Sequence, residues 1–375
     1  MIRSDGAPPL TAASGTDECA TPREFAAMFS VAVGLRVLVF VIMTVWGGFA
    51  VRDYAEWADG KSYLWMAQAI GGAPPAYLRD YDYRVFPGFP ALLSLAFLLK
   101  LPLAWVALTI NWLTAGLSAV FAAKICSDRR IGWAVATFTP QWLLDSSMAM
   151  TESMMVCLML SGVLLAQRKR GVLGGILSGL GGLVRPMVCF AVIGQMVQDA
   201  WQRRWRQAFL HGLAAAVTVG AGYLILQLTT GDALRGPRVY ATHEWAYGGH
   251  MFSLPGYSIY ATTRYEHVPP WTLAYILVHV PIVLAACLML LVRWWREREN
   301  VDPLLSLMAP WLWTNTLFVL CVGAQWGLLQ FPRLILVALL PLLWTFRAWL
   351  PRRAAGYAIF AVISVFISVT MFTLI

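Results

Sequence analysis

Apolar runs long enough to cross a bilayer recur from Glu24 to Ile375, separated by short basic turns and by two longer polar stretches. A helix of about twenty apolar residues covers the ~30 Å hydrocarbon core, so the pattern predicts an all-α, polytopic transmembrane helical bundle. The first run covers residues 24–50 and carries Arg36 within it. An arginine at that depth is costly unless it is paired or faces a polar interior. The next run, Phe86–Leu101, is bracketed by Pro87, Gly88, Pro90, Lys100 and Pro102. At about fifteen residues it is too short to cross, and it is expected to lie along, or dip into, the interface. Further runs follow at 103–126, 131–147, 150–167, 171–184, 187–201, 207–229, 271–293, 304–321, 333–350 and 355–375.

Charge decides how these runs are threaded. From a cytoplasmic N-terminus, about eleven spans place every basic cluster inside, as the positive-inside rule requires. The clusters are Arg129–Arg130, Arg168–Lys169–Arg170, Arg203–Arg204–Arg206, Arg293–Arg296–Arg298 and Arg347 with Arg352–Arg353. The net charge of +9 is therefore explained by short basic loops and does not point to nucleic acid. Residues 1–23 are polar, lack the design of a signal peptide and are expected to form a disordered cytoplasmic tail. Residues 24–350 are expected to form one module, with 351–375 as a C-terminal transmembrane helix. The six cysteines lie mainly inside apolar runs with neither metal spacing nor a disulfide pattern, and read as packing residues.

Two polar stretches remain on the outer face, within external loops 51–102 and 230–270. The first holds Asp53, Glu56, Asp59, Asp80 and Asp82. From Trp57 to Ile70 its pattern predicts a short amphipathic helix with Asp59, Tyr63, Met66 and Ile70 on one face and Lys61 and Gln68 opposite. A carboxylate heading an apolar stripe reads either as a helix N-terminal charge or as a reactive acid at the membrane surface. The second stretch carries His243, Glu244, Trp245 and His250, which suit metal binding, acid–base chemistry or simple loop decoration. Glu152 begins a span on the outer side and reads as a cap or as a site-lining acid. Arg185 and Arg333 sit at outer helix ends, where snorkelling to headgroups is one account. Convergence with Lys61 on a phosphate is the other, because guanidinium forks match phosphate oxygens. Asp145 lies near an outer span end and suits pairing with a cation. The sequence contains no nucleotide-binding loop, no HExxH, no GxSxG and no internal repeat of the kind inverted-repeat transporters show.

The order of these segments resembles the GT-C superfamily of membrane glycosyltransferases, which use polyprenyl-phosphate-linked sugars. Asp59-Gly-Lys-Ser-Tyr63-Leu-Trp-Met-Ala67 resembles the acidic motif of the family's first external loop. Tyr83-Arg-Val-Phe-Pro-Gly-Phe-Pro90 resembles the proline-rich helix start that follows it. Thr151-Glu152-Ser153-Met resembles a segment of the PIG-V-like mannosyltransferase branch. Gly182-Leu-Val-Arg185-Pro186 resembles the family's short-helix arginine motif. Gly231-Asp232 through Trp245-Ala-Tyr-Gly248, and Phe331-Pro-Arg333 with Pro341, resemble its second-loop and late arginine-proline segments. One departure is that Ala58 separates Trp57 from Asp59, where the branch has the acid directly after Trp; Glu56 is thereby a rival to Asp59.

The resemblance implies a bacterial plasma-membrane enzyme with an extracytoplasmic site. It would move mannose or a similar hexose or pentose from a polyprenyl-phosphate donor to a glycan, lipid or protein acceptor, with involvement of a divalent metal open. In that reading Asp59 activates or orients the acceptor hydroxyl, while Arg185, Arg333 and Lys61 neutralise the departing phosphate. Glu56, Tyr63, Arg84, Glu152, His243, Glu244 and Trp245 would line the pocket. A transporter or flippase of a lipid-linked or anionic substrate is the alternative. Its site is expected near the bilayer midplane.

Overall fold

The computed structural model describes residues 20–242, 252–257, 270–322 and 331–374, and these are helical apart from connecting turns and one isolated bridge between Phe252 and Val322. Among the described residues six helices are long and apolar enough to cross a bilayer: Pro22–Trp46, Leu103–Cys126, Trp205–Leu228, Leu273–Arg296, Pro303–Cys321 and Ala354–Phe372. A seventh candidate is a pair bent by 107°, Pro140–Ser147 with Glu152–Gln167. Gly88–Leu98, Gly171–Val184 and Phe331–Thr345 are shorter apolar helices.

Helix α1 (Pro22–Val41) is opened by a reciprocal cap between Thr21 and Glu24 and runs on as a π-turn to Trp46. Its 25 residues reach about 37 Å at 1.5 Å per residue, so its two ends stand a bilayer apart. At its start Glu24 pairs with Arg129 at 3.0 Å. Asp128 pairs with Arg130 at 2.9 Å, and Tyr357 donates to the Arg130 carbonyl. Arg293 and Arg347 both lie over the Trp344 ring, at 4.8 and 4.4 Å. Beyond its other end come α2 (Val51–Ala55), α3 (Gly60–Ile70), a 3-10 turn at Asp80–Arg84 and α4 (Gly88–Leu98). Helix α3 starts three residues later than the apolar pattern implies, because Trp57–Asp59 form a turn in which Ala58 takes a left-handed φ of 52°.

Helix α5 (Leu103–Cys126) returns across the bundle. The run at 131–147, expected as one span, is instead two helices, α6 (Arg129–Thr137) and α7 (Pro140–Ser147). Pro140 and Thr139, with φ 107°, interrupt it. A break inside an apolar bundle frees backbone carbonyls that must find donors. Buried Arg36 supplies one: Nη1 donates to Ala136 O and Nε to Ser146 Oγ, and its guanidinium faces the Trp142 ring at 5.6 Å. The cost of an arginine in the first span is thus offset by a carbonyl and a hydroxyl at the break, with no ion pair to an acid among the described residues.

A second break separates α7 from α8 (Glu152–Gln167). Here α5 provides the donors. Asn111 Nδ2 reaches the carbonyls of Met148 and Met150 at 2.5 and 2.6 Å, and Trp112 Nε1 reaches that of Ser147 at 3.1 Å. The chain then turns at Arg168–Arg170 and returns as α9 (Gly171–Val184), so that α8 and α9 form a hairpin with Glu152 at its beginning and Arg185 at its close. α10 (Cys189–Trp201) and α11 (Trp205–Thr230) repeat the excursion, with Arg203 and Arg204 in their turn. α12 (Arg235–Thr242) then folds back onto the Asp80–Arg84 turn. α13 (Pro270–Arg296), α14 (Pro303–Cys321), α15 (Phe331–Leu334), α16 (Leu339–Thr345) and α17 (Ala354–Leu374) complete the described chain. The run expected at 333–350 is a helical stretch, Phe331–Thr345, tightened to 3-10 geometry at Ile335–Ala338 and followed by a 3-10 turn at Arg347–Trp349.

Glycines set the packing of α9. A Cβ on Gly162 would stand 2.2 Å from Ser178 Oγ, and one on Gly175 would stand 2.3 Å from the His211 carbonyl. Small residues let helix backbones approach where lipid offers no hydrophobic drive between them. The outer face of α11 shows Phe209, Val217, Leu224, Ile225 and Leu228, as a lipid-facing surface requires.

Gly175→Ala therefore forces α9 and α11 apart and is expected to cost about 1–3 kcal/mol, read as a lowered melting temperature in detergent. Gly220→Ala, whose Cβ meets nothing within 4 Å, serves as the control and should melt as the native protein does.

Candidate active site

Five charged side chains from distant parts of the chain meet at the end of the bundle opposite the Glu24–Arg129 pair. Asp59 stands at the N-cap position of α3, yet its carboxylate makes no capping bond. Instead Oδ1 accepts from Arg84 Nη2 at 2.5 Å and Oδ2 from Arg333 Nη1 at 2.7 Å. Glu152, in the first turn of α8, holds two guanidinium groups through Oε1: Arg185 Nη2 at 2.8 Å and Arg333 Nε in close contact. Arg185 Nε also donates to Thr151 Oγ1 at 2.8 Å, and Tyr63 Oη lies 3.1 Å from the same hydroxyl.

These contacts decide between readings that local sequence leaves open. Glu152 and Asp59 are ion-pair partners and not caps. Arg185 and Arg333 are 15% and 10% exposed and turn inward to carboxylates, which snorkelling side chains do not do. Arg185 reaches the site because the chain leaves α9 in extended geometry, φ −155°, just before Pro186. The left-handed Ala58 immediately before Asp59 is a local departure from relaxed backbone, of the kind that gathers where a side chain has to be aimed.

Among the described residues three guanidinium groups bond two carboxylates here, and the buried Asp145 carboxyl lies near enough to interact electrostatically with Glu152, Arg333 and Arg185. Glu152 Oε2 is buried and has no hydrogen-bond partner among the described residues. Burial pushes the Asp59 carboxyl up, but the charges of Arg333, Arg84 and Arg185 outweigh it and hold the group well below the usual carboxylate range. Its contribution to stability is thus complete above the ordinary aspartate value of 3.8 and is lost only as the pH falls below it toward the depressed value.

Not every sequence candidate joins this cluster. Lys61, expected to help hold a phosphate, packs its ammonium over the Trp65 ring at 4.3 Å and faces an outer basin. The exposed face of α3 turns it into that basin, which it shares with Arg84. Glu56 closes α2 and pairs with Arg52 at 2.5 Å, so Asp59 and not its rival lies among the guanidinium groups. Asp145 is buried on α7 and accepts from Gln141 Nε2 at 3.0 Å. His243, Glu244, Trp245 and His250 lie outside the described residues. Sequence reasoning missed Asn111, Trp112 and Ser62; the first two hold the break that presents Thr151 and Glu152, and Ser62 Oγ accepts from Arg84 Nη1 at 3.2 Å. Their only sequence signal is polarity inside an apolar stripe.

Among the described residues no three His, Cys, Asp or Glu side chains gather to hold a metal. The chemistry on offer is that of guanidinium and carboxylate groups. Comparison with protein-family models and with curated proteins returns no match for this chain.

Glu152→Gln leaves Arg185 and Arg333 buried without their shared counter-charge and is expected to lower stability by about 3–5 kcal/mol. Thermal unfolding in detergent reads this out. A melting temperature equal to the native protein's means that Glu152 does not balance the cluster.

Proposed function

We propose that the chain is a GT-C-like membrane glycosyltransferase, moving mannose or a similar sugar from a polyprenyl-phosphate donor to an acceptor on the extracytoplasmic face. The observation that carries this reading is the convergence of Asp59, Arg84, Glu152, Arg185 and Arg333 in one largely buried, arginine-rich cluster. Three inward-turned guanidinium groups suit a phosphate, which such groups bind in forked geometry. A cleft of about 80 Å³ opens beside Arg84, lined mostly by apolar groups such as Met66, Ile70, Val85, Phe86 and Leu226 with Asp232 and Arg235 among them, and in this reading it takes the first isoprene unit of the tail. In this reading residues 51–102 and 230–270 lie outside, and the shorter helices Gly171–Val184 and Cys189–Trp201 count toward about eleven membrane passes.

In the proposed transfer the acceptor oxygen attacks the anomeric carbon while the bond from that carbon to the phosphate oxygen breaks. The bonding pair leaves with the phosphate, where Arg185 and Arg333 neutralise it. The hydroxyl proton passes to Asp59. Before donor binds, both Asp59 oxygens are engaged by arginine, which makes it a weak base. A phosphate that draws Arg333 toward itself loosens that grip and restores basicity. Donor binding therefore precedes activation of the acceptor.

Translocation of a lipid-linked substrate is the second reading, favoured by the 107° bend between α7 and α8, since broken helices carry the sites of many transporters. Purified protein incubated with polyprenyl-phosphate mannose and acceptor separates the two. Asp59→Asn is expected to lower product formation roughly a thousandfold while donor still binds. Arg333→Ala is expected to weaken donor affinity by about tenfold or more. Unchanged turnover in Asp59→Asn removes this residue from the chemistry, and substrate movement into proteoliposomes without product supports translocation.

Orientation has its own test in a background with the native cysteines replaced. Ala73→Cys is expected to react with a membrane-impermeant maleimide in intact cells, and Arg168→Cys only after permeabilisation. The opposite pattern reverses the topology.

A further inference from the structure

Arg84 is a wall between two cavities of unlike character. On one side is the apolar cleft; on the other an open basin of about 800 Å³, whose lining includes Arg52, Lys61, Trp65, Tyr77, Arg79 and Arg84. The carboxylates of the basin are already engaged. Glu56 is tied to Arg52, and Asp82 accepts from Ser62 Oγ at 2.7 Å and from the Arg79 backbone N–H at 3.0 Å. Lys61 and Arg79 are exposed, and neither forms an ion pair among the described residues. The basin thus presents cationic charge to the aqueous side.

It also presents an aromatic platform. The Trp65 and Tyr77 rings stand 4.4 Å apart at 56°. Tyr77 is half exposed, whereas Trp65 is 8% exposed and its indole N–H is buried without an acceptor among the described residues. Lys61 lies against the same indole ring. Apolar ring faces stack on the C–H face of a sugar, while flanking cations select an anionic substituent.

We infer that this basin is the acceptor subsite and that its ligand is an anionic saccharide, a sugar bearing a carboxylate or phosphate. This rests on the glycosyltransferase reading and deepens it. Arg84 binds Asp59 Oδ1 through Nη2 and Ser62 Oγ through Nη1, so it links the basin floor to the acid that activates the acceptor. The donor tail enters from the lipid side and the acceptor from the water side. The two substrates meet at Arg84 and Asp59.

Calorimetric titration of the purified protein with a glucuronate-containing disaccharide, with neutral cellobiose and with dihexanoyl phosphatidylglycerol tests the assignment. The uronate is expected to bind at least about tenfold more tightly than cellobiose. Lys61→Gln with Arg79→Gln, both exposed and outside the buried cluster, should weaken uronate binding roughly five- to tenfold and leave cellobiose unchanged. Tyr77→Ala should weaken both sugars. Equal affinity for charged and neutral disaccharide, or no loss in the double variant, overturns the inference. Tighter binding of the phosphatidylglycerol than of the uronate makes the basin a lipid headgroup site and also overturns it. The same titration on Asp59→Asn keeps the two proposals apart. Sugar transfer by the native protein without charge selection sinks the basin alone. Charge-selective binding that survives in Asp59→Asn, with no transfer by the native protein, sinks the transferase reading and the acceptor role with it, and leaves the basin as an anionic-saccharide site.

Discussion

One carboxylate shared by two guanidinium groups holds the site together. Glu152 is almost completely buried at the start of α8, and through Oε1 it joins Arg185, at the close of the α8–α9 hairpin, to Arg333, more than 140 residues further on. In a weakly polarisable interior an isolated charge of either sign is too costly to keep. Each member therefore depends on the others being present, and Asp59 and Arg84 extend the same constraint to the outer loop. A site of this kind is assembled as a unit.

The broken helices follow from the need to deliver those charges. An unbroken helix through residues 140–167 would carry Thr151 and Glu152 past the site as part of a regular turn. The bend frees the carbonyls of Ser147, Met148 and Met150, and side chains of α5 satisfy them. Arg36 does the same for the break between α6 and α7. Polar groups that look misplaced in an apolar bundle thus act as donors to irregular backbone, the condition under which such backbone persists at membrane depth. The glycine-lined contacts of α9 with α8 and α11 then keep the hairpin close enough for Arg185 to reach Glu152.

Around this cluster the surroundings differ on the two sides of Arg84. On one side is a small, mostly apolar cleft, and on the other an open basin that is aromatic and basic. A transfer between a membrane-held donor and a water-borne acceptor needs such a division, because the two partners approach through different solvents. The packing of α12 on the Asp80–Arg84 turn helps to maintain it, with Arg235 over the Tyr83 ring at 3.5 Å and Gly236 against the Tyr83 carbonyl.

Much of this was legible in the order of residues alone. Run lengths announce a helical membrane protein, basic turns suggest which ends belong together, and the amphipathic pattern marks the neighbourhood of Asp59. The interruption at Thr139 was not legible and falls inside one expected run, whereas the polar stretch after Leu144 already separates the run at 131–147 from that at 150–167. Nor could position separate Asp59 from Glu56, or show that Lys61 turns away from Arg185 and Arg333. A charge beside a helix end has the same local sequence whether it caps, snorkels or pairs. What distinguishes these is which opposite charge stands within about 3 Å, a distance that joins residues hundreds of positions apart and exists only once the chain has folded.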